Sequence, residues 1–213
     1  MKLMKKFGIT AARECEKAGT CIHIAADDLY LGHIIISDTA KDGAKEAINE
    51  TDPEKFDALY KKLEHYEQVT DRIELEIAKF LDQVKDGVIS EESARRIQAM
   101  YKIISELESI GDSGFNIARI LQRRNIHNMK FDEPMIKKLN YMTELLERGF
   151  EAMLFNLNKG YTQINDIANA QDVEQDINEY RNNLKEEHLL NLENKTYNYL
   201  TGVYYMDLVN ECE

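Results

Sequence analysis

The chain has 213 residues, 39 acidic against 27 basic side chains and a formal charge of −12. That balance argues against a nucleic-acid partner, which needs clustered lysine and arginine, and suits cations or basic partners. Two prolines and ten glycines leave few chain breakers, so long helices are expected rather than many strands. Three cysteines without a Cys-x-x-Cys pair argue against a disulfide framework and fit a reducing compartment.

Met1-Lys2-Leu3-Met4-Lys5-Lys6 is basic but no apolar core follows it, so it does not read as a signal peptide. No stretch approaches the roughly 18 apolar residues of a membrane span. The first helix is expected somewhere between Thr10 and Asn49, weakened by Gly19, Gly32 and Gly43. Ile34-Ile35-Ile36 could be a strand on propensity. With no second strand signal to pair it, helix is the expectation.

Thr51-Asp52-Pro53-Glu54 starts the next helix: Asp52 caps, Pro53 suits the first turn and Glu54 favours the positive end. Leu59, Leu63, Tyr66, Thr70, Ile73, Ile77, Phe80 and Val84 then form a bundle seam with Thr70 as its polar interruption. Lys85-Asp86-Gly87 ends it. Ser90 caps the following helix, whose seam runs Met100, Ile103, Leu107, Ile110, Gly114, Ile117 and Leu121, and which closes on Arg123 and Arg124. Asp132-Glu133-Pro134 starts a fourth helix, ending near Asn158-Lys159-Gly160. A fifth covers roughly Thr162 to Leu192. A sixth begins near Tyr197 and is still running at Glu213, which reads as a truncated last helix.

Acidic residues recur in register. Glu67, Asp71 and Glu74, shifted by 105 positions, give Asp172, Asp176 and Glu179, and Glu106-Leu107-Glu108 falls on Glu211-Cys212-Glu213. The position matching Asp112 lies past the end. Residues four apart share one helical stripe, and this stripe borders the seam. Gly111, Ser113 and Gly114 beside it are small enough for close approach. Partly buried like charges repel, and hard cations with oxygen ligands relieve that. A solvated acidic face is the alternative. Asn116 can add a neutral oxygen or bond helix to helix. No glutamate has histidine three residues later, so the di-iron bundle pattern is missing. No nucleophile and base set is found, and no enzyme is expected.

At these residues the chain resembles the PhoU family. The likeness lies in Glu67 to Asp71, Glu108 to Asp112 and Asp172 to Asp176, and above all in Ser105-Glu106-Leu107-Glu108-Ser109-Ile110-Gly111-Asp112 followed by Asn116-Ile117-Ala118. Ile103 to Asn128 and Asn178 to Glu213 look like the cytosolic tail of bacterial sodium/phosphate cotransporters. The resemblance implies an all-α bundle of two tandem three-helix units: a linker or extra helix over 1–27, a first repeat over 28–128 and an incomplete second over 129–213. It implies divalent or ferric cations held by Glu67, Asp71, Glu108, Asp112, Asp172 and Asp176, with Glu213 opening a fourth motif that lacks its partner. It also implies a cytoplasmic regulator at the inner face of the membrane, acting on a membrane-spanning phosphate transporter moiety of the same chain by contact or by homodimerisation. The alternative is a free-standing helical scaffold of phosphate homeostasis with no metal role.

Overall fold

Cys21-Ile22-His23-Ile24 and the β-branched run ending at Ile36 have strand propensity, and in the computed structural model they pair. Strand β1 (Thr20–Ala26) runs antiparallel to β2 (Leu29–Ile36), with Ile22 opposite Ile34, His23 opposite His33 and a bulge between Ile24 and Ala25. This corrects the expectation of a helix through Ile34-Ile35-Ile36. The missed signal was β1, whose short alternation is visible only once it has a partner. The structure describes residues 20–26, 29–36, 39–85, 90–158 and 166–212. It divides into a unit Met1–Asp42, holding the hairpin, and a helical unit Gly43–Glu213.

The bundle is all-helical. Its elements are α1 (Thr39–Asn49), α2 (Pro53–Lys85), α3 (Glu91–Ile126), α4 (Glu133–Asn158), α5 (Ala168–Glu193) and α6 (Tyr199–Glu211). The expected caps form. Asp52 accepts the N–H groups of Glu54 and Lys55 at 2.9 and 3.1 Å. Ser90 accepts that of Ser93 at 3.1 Å, and Asp132 that of Met135 at 2.8 Å. The fifth helix starts at Ala168, because Asp166 turns back to accept the Ala168 N–H at 2.8 Å; Thr162 lies outside the described residues. Asn198 caps α6 through the Leu200 N–H.

Two long antiparallel pairs, α2 with α3 and α4 with α5, are joined by α6, which packs on α3, α4 and α5. Helix α6 is short and apolar on most faces, as an interior helix must be. Tyr204, Tyr205, Leu208 and Val209 are buried there against the region of Ile117, Leu121, Leu139 and Met142. The α2–α3 pair is long, about 50 Å at 1.5 Å per residue. Ile103, expected in its seam, is 43% exposed. Tyr101 ties the pair together by donating to Asp82 at 2.8 Å. Arg95 and Arg96 pair with Glu91 and Glu92 on the surface.

Gly202 shows how tightly α6 is held. A Cβ there would stand 2.7 Å from His188 Cε1 and 2.8 Å from Tyr197 Cε2. Those rings stack with centroids 5.9 Å apart and share a 2.7 Å hydrogen bond between His188 Nδ1 and the Tyr197 hydroxyl. Neither ring can bend away. Gly202→Ala should therefore cost about 1–3 kcal/mol from overpacking, less up to about 1 kcal/mol regained as helix propensity. A lowered thermal midpoint by circular dichroism is the expected result, and an unchanged or raised one would contradict it.

Candidate metal centre

Helices α2 and α3 approach closely because position 111 has no side chain: a Cβ on Gly111 would meet Thr70 Oγ1 at 2.6 Å. Thr70 turns its hydroxyl inward, donating to the Glu67 carbonyl at 2.8 Å. The polar interruption of one seam thus meets the smallest residue of the other. Beside this contact, Glu67 and Asp71 of α2 lie close to Asp112 of α3.

Glu67 and Asp71 from α2 and Asp112 from α3 each place one carboxylate oxygen within 4.8 Å of the other two, and all three are half-buried. Asp71 Oδ1 is buried with no hydrogen-bond partner. Burial pushes the Glu67 carboxyl above its usual range, reinforced by the charges of Asp71, Asp112 and Glu64 and opposed by Arg119. Burial does the same to Glu108, reinforced by Asp112, Glu74 and Asp71. Among the described residues the ion pairs leave these acids out.

This set fits a hard cation. Oxygens on opposite sides of one such ion stand about 4–5 Å apart, since each metal–oxygen bond is about 2.0–2.6 Å. An orphaned carboxylate oxygen among like charges is an acceptor without a donor, and a cation satisfies it. The donors are all oxygen, which favours magnesium, calcium, manganese or iron over soft-ligand metals.

Of the sequence-predicted residues, Glu67, Asp71, Glu108 and Asp112 come together here. Asp172 is exposed, and the exposed Asp176 accepts a hydrogen bond from Arg148 Nη2 at 2.8 Å. Asp176 thus has an arginine ion pair, which none of the four clustered acids has among the described residues. Glu213 lies outside the described residues. Asn116 takes the helix-to-helix role, donating to Glu211 of α6 at 3.2 Å. Glu64 and Glu74 add their charge to the cluster, and the three-residue spacing of Glu64 from Glu67 and of Glu74 from Asp71 was their signal.

The shifted carboxyls give a sign for pH dependence. In the folded chain Glu67 and Glu108 hold protons at a pH where the unfolded chain, with carboxyls near about 4.3, has released them. The folded state binds more protons in that window, so stability falls as pH rises through it. In chelator, the thermal midpoint should fall as pH rises from about 4.3 through the folded-state values of these two groups. E67Q/E108Q should flatten that dependence. Parallel pH profiles for parent and variant would show that the cluster is not the cause.

An acidic helical bundle with a half-buried cluster of carboxylates between two helices is the class that fold and site define. The PhoU domain family matches residues 36–121. That stretch, a PhoU-like domain, takes in α1, α2, most of α3 and the whole acidic cluster. No curated protein and no solved structure matches the chain.

Proposed function

We propose that this chain regulates phosphate uptake and that a hard divalent or ferric cation, held by Glu67, Asp71, Asp112 and Glu108, organises its α2–α3 face. The observation that carries the metal reading is Asp71 Oδ1, buried without a partner among like charges. The PhoU domain match over the same helices supports the regulatory reading. When bound, the ion supplies charge neutralisation and a fixed geometry. Thr70 and Gly111 hold the two helices at the right spacing, and Arg119 offsets part of the negative charge.

The transporter is a membrane-spanning phosphate carrier, attached to this chain or contacted by it at the cytosolic face. The likeness of Ile103 to Asn128 and Asn178 to Glu213 to cotransporter tails supports it. Among the described residues no helix is long and apolar enough to cross a membrane. The test is radiolabelled phosphate uptake in cells lacking the endogenous gene and complemented with the parent or with D71N/D112N. Changed uptake on complementation with the parent, lost in the variant, is expected. Uptake indifferent to the gene sinks the regulatory reading, and equal uptake with both alleles sinks the metal's part in it.

A further inference from the structure

Arg124 sits in the last turn of α3, where a cation suits the exposed carbonyls and would ordinarily reach solvent. Here it is only 8% exposed. Its Nε and Nη2 donate to a neutral oxygen, Asn125 Oδ1, at 3.1 and 2.8 Å, and its Cζ lies 4.8 Å from the Phe131 ring centroid. Among the described residues no carboxylate pairs with it. A buried charge normally has a counter-charge.

Arg124 lines a cavity of ≈ 740 Å³ between the α1–α2 and α3–α4 turns. Ile48, Phe56, Met129, Phe131 and Ile136 supply apolar wall, and Lys130 adds a second cation at the edge. The acids on the same cavity are engaged elsewhere. Glu50 accepts the N–H groups of Thr51 and Asp52, Asp52 those of Glu54 and Lys55, and Asp57 pairs with Lys61 at 2.6 Å. A concave, mostly apolar space with one buried polar anchor is the form of a small-molecule site, and its volume is within the usual range of about 300–1,000 Å³.

We propose that this cavity binds a small organic anion, an apolar body whose carboxylate or phosphate headgroup sits on the Arg124 guanidinium. The planar fork suits either oxyanion, and the walls suit an aryl or short acyl body. The site is independent of the metal cluster.

The test is calorimetric titration in EDTA with phenyl phosphate and octanoate, against inorganic phosphate and phenol as the two halves of the ligand. Methyl NMR of the parent protein locates binding. At least one of the two organic anions should bind and shift the methyls of Ile48, Met129 and Ile136. Inorganic phosphate and phenol should each bind at least about tenfold more weakly than that anion, since each lacks half of the interaction. R124Q should lose about tenfold or more in affinity, and the exposed neighbour variant R123Q none. If R124Q fails to fold by circular dichroism, R124K keeps the buried charge, loses the fork and should still bind more weakly. No methyl shifts at those three residues with either anion would overturn the proposal. So would inorganic phosphate binding as tightly as phenyl phosphate, or unchanged affinity in the Arg124 variants.

Discussion

D71N/D112N should abolish the proposed cation binding while making the metal-free form more stable. Asp71 and Asp112 contribute two of the three convergent oxygens. Loss of a mere outer-shell contact costs a metal site about 10–100-fold in affinity, so losing two ligands should cost at least about 100-fold. The chelated protein should gain, because the variant removes two like charges from a half-buried cluster and gives the orphaned acceptor a donor amide. In the parent, cation at about 100 times its dissociation constant should add about 2.7 kcal/mol. For a chain of this size that is about 5–10 °C in thermal midpoint. The variant should show no such rise. D176N is the internal control, since Asp176 already has Arg148. It should leave metal content unchanged and stability within the small range of an exposed ion pair, about 0–1 kcal/mol. Elemental analysis and thermal melts with and without chelator read all of this. A D71N/D112N protein with the parent's metal content would end the assignment.

Gly111→Ala should damage stability and metal affinity together. On an exposed helix this change would gain about 1 kcal/mol. Here the new methyl would stand 2.6 Å from Thr70 Oγ1 and 3.2 Å from its Cβ and Cγ2. Thr70 cannot simply rotate, because its hydroxyl is bonded to the Glu67 carbonyl and to that of Tyr66 at 3.2 Å. The strain passes to the spacing of α2 and α3, at the level where Glu67 and Asp71 meet Asp112. A net loss of about 1–3 kcal/mol is expected from overpacking, with cation affinity reduced because the ligand oxygens are moved apart. T70A in the same chain should restore part of both, since it removes Oγ1 and Cγ2 and leaves only the 3.2 Å contact with Cβ. If the double variant is no better than G111A, the Thr70–Gly111 contact is not what sets the helix spacing.

Much of the bundle was legible in the residues because its signals are local. Asp52, Ser90 and Asp132 announce helix starts through backbone bonds made within three residues. The stripe of Leu63, Ile73 and Ile77, one buried and two half-buried, shows the inward face by its period alone. What failed depended on a distant partner. Strand β2 needed β1 before its propensity could count, and Ile103, which the helical period assigns to the seam, is exposed. The acidic site divides along the same line. Glu67 to Asp71 and Asp172 to Asp176 look alike as motifs. Only the first pair meets acids from another helix, while Asp176 meets an arginine 28 residues away.

Composition, caps and helical period by themselves determined an acidic, helical protein and the stripe on which each carboxylate lies, because those properties are set within a turn or two of chain. The tertiary structure alone decided which stripes face each other and which charges find a partner, because a pairing across helices depends on distances that no spacing along one helix encodes. The same limit hid Arg124: its place at the end of α3 could be read from the chain, but its burial beside an apolar cavity follows from turns at residues 50–53 and 127–132 closing over it.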